Sequence, residues 1–274
     1  MMWLNGQLIE NGAVSASGAG LNLGWGVFTT LGVRNGEPRF LSRHFARLER
    51  DARAAQVPFD LDFMAISHGL REVLRANSVR NGLARLTLTK RGDERWNFES
   101  GADFSILALE TPPFAGQLRV QISPYRVEAK RPLCGVKTTS YLGYFWAWRE
   151  TRARGFDEAI LRDSRDFLCE GARATLFWLQ NGALYTPSFQ TGCLQGIGRE
   201  LTLEWAKIRG LEVRQGEFEA VEAENAAEVW LVSAASGPRP VSSWHDESGL
   251  VRASFAAPGA VCAEFARWLG AQNE

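Results

Sequence analysis

The apolar positions in the N-terminal half of the chain change from a spacing of two residues to a helical spacing and then back. Val27–Val33 is β-branched and alternating, which predicts a strand, and Asn35-Gly36 predicts a turn after it. Leu41–Gln56 and Asp60–Ala76 carry apolar residues at helical spacing, which predicts two helices. The remaining predicted strands are a hairpin at 2–9, Ala84–Thr89 and Phe104–Leu109. This order indicates a small α+β domain.

Paired prolines mark the predicted domain boundary. Thr111-Pro112-Pro113-Phe114 stops regular structure, so we expect a small domain at 1–113 and a larger one at 114–274. The larger domain alternates between strands and helices. Its predicted elements are the strands Leu118–Ser123, Glu158–Leu161 and Glu228–Val232, a hairpin at Thr175–Tyr185, and the helices Tyr141–Arg154, Ile197–Arg209 and Ala260–Leu269.

Charge and cysteine usage narrow the class of protein. The chain has 274 residues and a formal net charge of +0, a poor match to nucleic acid or an anionic membrane surface. Residues 1–8 lack a basic region and a long apolar run, so we expect neither a signal peptide nor a membrane span. Four scattered cysteines indicate a reduced, cytoplasmic setting, and three isolated histidines predict no metal site.

Three features of the stretch from 136 to 199 carry candidate chemistry. Lys137 lies in a turn-like segment, and Glu170 ends a predicted strand. Leu194-Gln195-Gly196-Ile197-Gly198 then opens a helix, whose N-terminal N–H groups can bind an anion. A lysine, a carboxylate and a helix N-terminus are three parts that can hold one anionic cofactor with a ring nitrogen.

These features belong to a series of motifs that resembles one known family. The series is Gly24-Trp25-Gly26-Val27-Phe28, His44-Phe45-Ala46-Arg47-Leu48, Lys137-Thr138-Thr139-Ser140-Tyr141-Leu142, Glu158–Leu161, Glu170-Gly171, Leu176-Phe177, Leu184–Pro187, Leu194–Ile197, Glu228-Val229 and Arg239-Pro240-Val241. In this order and at these separations it resembles the fold-type IV pyridoxal-phosphate enzymes, the class IV aminotransferase family. The resemblance covers nearly the whole chain. It implies a two-domain fold whose larger domain has a barrel-like sheet flanked by helices.

The resemblance also implies roles for individual residues. Lys137 would form the Schiff base with pyridoxal 5'-phosphate and then shuttle protons, and Glu170 would face the pyridine nitrogen. Arg47 and the backbone of Gly196, Ile197 and Gly198 would bind the phosphate, with Ala234 and Ala235 nearby. The chain departs from the family pattern at several positions: Trp25 replaces Asp, Thr175 replaces Asn, and Gly198 and Ala234 each replace Thr, leaving Ser233 and Ser236 as substitutes.

The motifs of the N-terminal half favour one reaction within the family. Phe28-Thr29-Thr30, the short Lys137 motif and Arg91-Gly92 resemble 4-amino-4-deoxychorismate lyases, which form 4-aminobenzoate and pyruvate for folate biosynthesis. Thr30 would then be the proton donor and a substrate contact, and Arg91, Arg95 and Trp25 further substrate contacts. A branched-chain or D-amino-acid aminotransferase and a non-catalytic family member stay open as alternatives. The resemblance also implies a homodimer.

Overall fold

The computed structural model describes residues 1–92, 101–112, 114 and 116–272. The chain divides into two compact units. The first unit is Met1–Pro113 with Val136–Tyr141, and the second unit is Phe114–Gly135 with Leu142–Gln272. Among the described residues, none of the helices has both the length and the apolar character that a membrane span requires.

The first unit is an antiparallel sheet with helices packed on it. Its elements are β1 (Met2–Leu4), β2 (Gln7–Ile9), α1 (Ala19–Asn22), β3 (Gly26–Arg34), β4 (Glu37–Pro38), α2 (Leu41–Ala54), α3 (Phe63–Ala76), β5 (Gly82–Lys90) and β6 (Ala102–Glu110). In the described part of the chain the strand order is β2-β1-β6-β5-β3-β4. Leu31, Leu70 and Leu86 are among the fully buried side chains of its core, which joins the sheet to α2 and α3.

The hairpin and both helices predicted in this unit are confirmed. Asn5 and Gly6 have φ of 49° and 93°, the left-handed backbone that a tight two-residue turn between β1 and β2 requires. Helix α3 begins at Phe63, three residues later than Asp60, the predicted start. The reason is local, since the Asp62 side chain accepts a hydrogen bond of 2.7 Å from the N–H of Ala65 and so caps the helix.

The second unit is a mixed sheet accompanied by helices. Its elements are β7 (Leu118–Val127), α4 (Leu142–Ala153), β8 (Glu158–Asp163), β9 (Leu168–Gly171), β10 (Thr175–Gln180), β11 (Ala183–Pro187), α5 (Ile197–Arg209), β12 (Val213–Gly216), α6 (Ala220–Glu224), β13 (Glu228–Ser233), β14 (Gly237–His245), β15 (Val251–Ser254) and α7 (Ala260–Ala271). Within the described ranges the strand order is β12-β11-β10-β13-β14-β7-β8-β9, with β15 beside β14. Strand β7 runs parallel to both β14 and β8.

Aromatic side chains fill much of the second unit. Trp178, Trp230 and Trp244 are fully buried, and the rings of Trp205 on α5 and Phe265 on α7 lie 5.1 Å apart. Strand β14 was not predicted from the sequence as a strand. It contains two prolines, at 238 and 240, which cannot donate to a ladder and hide the strand from a pattern analysis.

The segment Val136–Tyr141 belongs with the first unit, although its sequence position lies in the predicted domain at 114–274. Its backbone pairs with the start of β3. The N–H of Phe28 donates to the carbonyl of Lys137 at 3.0 Å, and the N–H of Thr139 donates to the carbonyl of Gly26 at 2.9 Å. This pairing places the candidate lysine beside β3.

Replacing Asp62 with Ala removes the cap of α3. We expect the free energy of unfolding to fall by about 1 kcal/mol, the usual contribution of an N-cap side chain. Urea denaturation followed by circular dichroism measures it. The matched control is Asp60→Ala, which removes an exposed carboxylate just before the helix. Equal losses in the two variants would contradict the capping role.

Candidate active site

Lys137 is held by its backbone and faces two aromatic rings. Its N–H donates to the Oδ2 of Asp51 at 3.2 Å, so the buried carboxylate on α2 fixes the segment. Its Nζ lies 4.6 Å from the ring centroid of Phe28 and 4.7 Å from that of Tyr141. Aromatic faces attract an ammonium group without the geometric demands of a carboxylate partner. The arrangement therefore positions the amine for chemistry at Nζ.

A polar stripe on α2 lies beneath this region of the first unit. His44, Arg47 and Asp51 follow each other at helical spacing, and all three are buried. Arg47 donates from Nη2 to the hydroxyl of Thr29, whose Oγ1 is also 2.5 Å from the Nδ1 of His44. One buried hydroxyl thus joins the histidine to the guanidinium predicted to bind phosphate. The Nε2 of His44 is buried and has no hydrogen-bond partner among the described residues.

Thr30 lies on the opposite face of β3 from Thr29, because side chains alternate along a strand. It shares that face with Phe28, over whose ring the amine of Lys137 lies. Arg85 on β5 pairs in register with Thr30, and its guanidinium carbon is 3.8 Å from the Phe28 ring centroid. A hydroxyl, an amine and a guanidinium therefore occur on one face of this sheet.

The other predicted substrate contacts have partners of their own. The ring N–H of Trp25 donates to the carbonyl of Ala55 at 2.7 Å, so the indole is anchored at the end of α2. Arg91 forms an ion pair with Asp103 at 2.7 Å. Arg95 lies outside the described residues. The roles given to these three residues stay predictions.

Glu170 is the buried carboxylate of the second unit. It lies on β9, is 5% exposed, and pairs in register with Leu161 of β8. Its Oε1 accepts a hydrogen bond of 3.2 Å from the hydroxyl of Tyr144, and its Oε2 accepts one of 3.2 Å from the N–H of Leu194. Two donors favour the ionised form of a carboxylate. Such a carboxylate can accept a hydrogen bond from a ring N–H.

The N-terminus of α5 contains two glycines, Gly196 and Gly198. No side chain caps this helix at Gly196, and helical geometry gives its first N–H groups no partner within the helix. A Cβ at Gly198 would lie 3.0 Å from the Cα of Ser233 and 3.2 Å from the backbone nitrogen of Ala234. The threonine usual in the family would push these backbones apart, so Gly198 permits a closer approach than a side chain would allow.

The turn between β13 and β14 carries the two serines proposed as substitutes for lost hydroxyls. The hydroxyls of Ser233 and Ser236 lie 2.8 Å apart, and the N–H of Ser236 donates to the Oγ of Ser233 at 3.1 Å. The serines thus brace the turn that holds Ala234 and Ala235. Each unit carries groups that suit part of the cofactor that the resemblance implies: the first unit a lysine amine, and the second unit a donor-held carboxylate and a helix N-terminus that can bind phosphate.

Five residues of these sites were not assigned roles from the sequence: Thr29, Asp51, Arg85, Tyr144 and Arg131. Asp51 had a signal, since a third polar residue follows His44 and Arg47 at helical spacing on the buried face of α2. Thr29 was hidden in an apolar strand. No sequence pattern marks Tyr144 or Arg131. Tyr144 contacts Glu170 and Arg131 contacts Tyr144, and both contacts join positions that are distant in sequence.

Comparisons with known proteins identify the family of this chain. The family model described as amino-transferase class IV matches residues 26–244. The chain is 28% identical over 250 residues to the aminodeoxychorismate lyase of Bacillus subtilis, covering 85% of this chain and 83% of the relative. It is 26% identical over 262 residues to the branched-chain-amino-acid aminotransferase of Escherichia coli K12, covering 88% and 84%.

A solved structure has the same fold. The branched-chain aminotransferase of Thermoproteus uzoniensis, crystallised with norvaline, superposes with a TM-score of 0.88 at 26% identity. The match covers 98% of this chain and 93% of that chain. The fold class predicted from the sequence is confirmed.

The buried His44 predicts a specific dependence of stability on pH. Burial lowers the pKa of His44 well below its ordinary value, and the charges of Arg47 and Lys137 lower it further. Below about pH 6.5 the unfolded chain therefore binds a proton at this residue that the folded chain does not. We expect the free energy of unfolding to fall as the pH drops, by about 1.4 kcal/mol between pH 7.5 and 5.5 from this residue alone.

Urea denaturation at the two pH values, on the natural chain and on His44→Gln, measures this contribution. The variant should lose less stability on acidification than the natural chain, whatever its stability at pH 7.5. His68→Gln is the control, because the His68 side chain is 75% exposed. A pH dependence unchanged in His44→Gln would refute the assignment.

Proposed function

Because this chain belongs to the amino-transferase class IV family, whose members are pyridoxal-phosphate-dependent enzymes, we propose that it is a 4-amino-4-deoxychorismate lyase. The reaction converts 4-amino-4-deoxychorismate to 4-aminobenzoate and pyruvate. The family match confirms two predictions from the sequence, that the chain is an enzyme and that it depends on pyridoxal phosphate. The particular reaction is our proposal, and it rests on the groups around Lys137.

The observation that carries the proposal is the position of Thr30. Its hydroxyl belongs to the face of β3 that also carries Phe28, beneath the amine of Lys137. Elimination of pyruvate needs a base for the C4 proton and a proton donor for the departing enolpyruvyl oxygen. Lys137 and Thr30 supply these two groups. A transamination requires only the base.

We also assign residues of the chain to the three ends of the cofactor. We assign Lys137 to covalent attachment, Glu170 to the ring nitrogen, and Arg47 with the N–H groups of Ile197 and Gly198 to the phosphate. When bound, pyridoxal phosphate supplies an electron sink for the negative charge that develops at the substrate carbon. Lys137 then takes the C4 proton, Thr30 gives a proton to the oxygen as the C3–O bond breaks, and the ring becomes aromatic.

The substrate carboxylates require cations. Arg85 joins Arg91 and Arg95 as a candidate, because it lies in register with Thr30 on the same sheet face. Arg91 would have to exchange its ion pair with Asp103 for the substrate. The guanidinium carbon of Arg85 lies 3.8 Å from the Phe28 ring centroid, and its Nε donates to the hydroxyl of Thr87 at 3.4 Å. A guanidinium has five N–H donors, so these contacts are compatible with a carboxylate as a further partner.

An aminotransferase is the second candidate. The similarity to the branched-chain enzymes of Escherichia coli and Thermoproteus uzoniensis favours it, at 26% identity in both cases. The two reactions share Lys137 and Glu170 and differ in whether the proton returns to the cofactor or the enolpyruvyl group leaves. Thr30 is therefore the residue whose replacement separates them.

We also propose that the chain forms a homodimer in the cytoplasm. Leu142, Phe145 and Trp146 on α4 have exposed fractions of 72%, 46% and 51% and share one face of the helix by their spacing. An apolar cluster of this kind is typical of an interface, and a second copy is the occupant that the resemblance implies. The four free cysteines agree with a reducing compartment.

One assay with matched variants tests the reaction. The purified protein is incubated with 4-amino-4-deoxychorismate, and 4-aminobenzoate and pyruvate are followed, in parallel with amino-acid and keto-acid pairs. We expect pyruvate release. Thr30→Val should lower kcat for the lyase reaction about 100-fold, the usual effect of losing a general acid. Transamination without pyruvate release would overturn the lyase proposal.

Lys137→Ala should abolish both the visible absorbance of the bound cofactor and turnover, because no other amine takes its place. Lys130→Ala is the control, since it removes an exposed lysine from the chain before the site. A Lys137→Ala protein with unchanged absorbance would remove this lysine from the mechanism.

Replacement of Trp146 tests the dimer. The natural protein should have a mass near twice the 30.4 kDa of one chain in light scattering after gel filtration. Trp146→Glu places a charge in the apolar cluster and should shift the mass toward one chain. Glu150→Gln on the same helix is the control. A natural protein that is monomeric at micromolar concentration would contradict the proposal.

A further inference from the structure

A line of hydrogen bonds in the second unit leads from the half-buried guanidinium of Arg131 to the buried carboxylate of Glu170. The Nη2 of Arg131 donates to the hydroxyl oxygen of Tyr144 at 2.8 Å. That hydroxyl donates in turn to the Oε1 of Glu170 at 3.2 Å. Each group has one direction available, because a guanidinium only donates and an ionised carboxylate only accepts. The hydrogen bond from Arg131 polarises the Tyr144 hydroxyl, which therefore donates a stronger hydrogen bond to Glu170.

The phenol of Tyr144 is fixed as a hydrogen-bond donor. Burial raises its pKa well above the ordinary value, and the neighbouring Glu170 raises it further. It keeps its proton throughout the pH range in which proteins are folded. Its ring is held in place by Tyr125, whose centroid lies 6.4 Å away, and by the guanidinium of Arg131 at 5.8 Å.

The carboxylate of Glu170 is held from both sides. Tyr144 bonds one oxygen, and the N–H of Leu194 bonds the other at 3.2 Å. A backbone N–H and a packed phenol leave the carboxylate little freedom to rotate. A carboxylate oxygen has more than one lone pair and can therefore accept from more than one donor.

We propose that Tyr144 and Arg131 are positioning residues that hold Glu170 ionised and correctly oriented, so that a proton shared with the cofactor's ring nitrogen stays on that nitrogen. The inference rests on the proposed role of Glu170. Donors to a carboxylate make it a weaker base, so the shared proton lies with its partner. A ring nitrogen that keeps its proton is the better electron sink. The hydrogen bond from Arg131 makes the Tyr144 hydroxyl a stronger donor, and that hydroxyl donates to Glu170.

Cofactor binding measures this effect without any turnover. The dissociation constant of apo-protein is determined by tryptophan fluorescence for two probes: pyridoxal phosphate, and its analogue in which a C–H group replaces the ring nitrogen. Tyr144→Phe should weaken binding of pyridoxal phosphate about tenfold, the loss expected for one hydrogen bond to a charged group. The same variant should change binding of the analogue by less than about twofold, because the analogue has no proton to share with Glu170.

Arg131→Gln should weaken pyridoxal phosphate binding about threefold, and adding it to Tyr144→Phe should have no further effect, since Arg131 acts through the phenol. Tyr125→Phe is the matched control. It removes the hydroxyl of the neighbouring ring and should bind both probes as the natural protein does. Circular dichroism and urea denaturation confirm that each variant is folded.

Glu170→Ala separates failure of the inference from failure of the proposed function. It should weaken binding of pyridoxal phosphate more than Tyr144→Phe does, and leave binding of the analogue nearly unchanged. If Glu170→Ala distinguishes the two probes and neither Tyr144→Phe nor Arg131→Gln does, the positioning role is wrong and the role of Glu170 stands. If Glu170→Ala affects both probes equally, Glu170 does not face the ring nitrogen, and both proposals fall.

Discussion

A carboxylate that water cannot reach must receive its hydrogen bonds from the protein, and Glu170 imposes this requirement on the second unit. Its desolvation is costly unless donors replace the lost water. The N–H of Leu194 and the phenol of Tyr144 meet the requirement. Leu194 begins the glycine-rich turn into α5, so one backbone segment donates to the carboxylate at one end and at the other begins a helix whose first N–H groups can bind an anion.

The first unit also buries polar groups that must receive their hydrogen bonds from the protein. Its α2 buries a histidine, an arginine and an aspartate on the face that packs on β3. The hydroxyl of Thr29 serves the first two, and the backbone of Lys137 serves Asp51. Removing a single partner would leave a buried polar group without its hydrogen bond, which costs more than the bond itself contributes. The polar groups of each unit therefore depend on one another.

The sequence predicts the regular elements and the family because these depend on local patterns. Helix α2, the hairpin at Asn5-Gly6 and the cofactor class all follow from periodicity or collinear motifs. The contacts that set the chemistry are different in kind. Nothing local to Tyr144 indicates that its hydroxyl reaches Glu170, and nothing near Arg91 indicates its ion pair with Asp103. Arg85 looks like a surface residue of a strand until the register with Thr30 is known.

The return of Val136–Tyr141 to β3 has a consequence for biosynthesis. The hydroxyl of Thr139 bonds the carbonyl of Gly24 across 115 positions of sequence. A nascent chain folds from its N-terminus as it leaves the ribosome, yet β3 cannot gain this edge partner until more than half of the protein has been made. Closing so long a loop also carries a large entropic cost. The candidate lysine therefore reaches its place beside β3 only after residue 139 has been made, later in synthesis than the strands of the sheet that it joins.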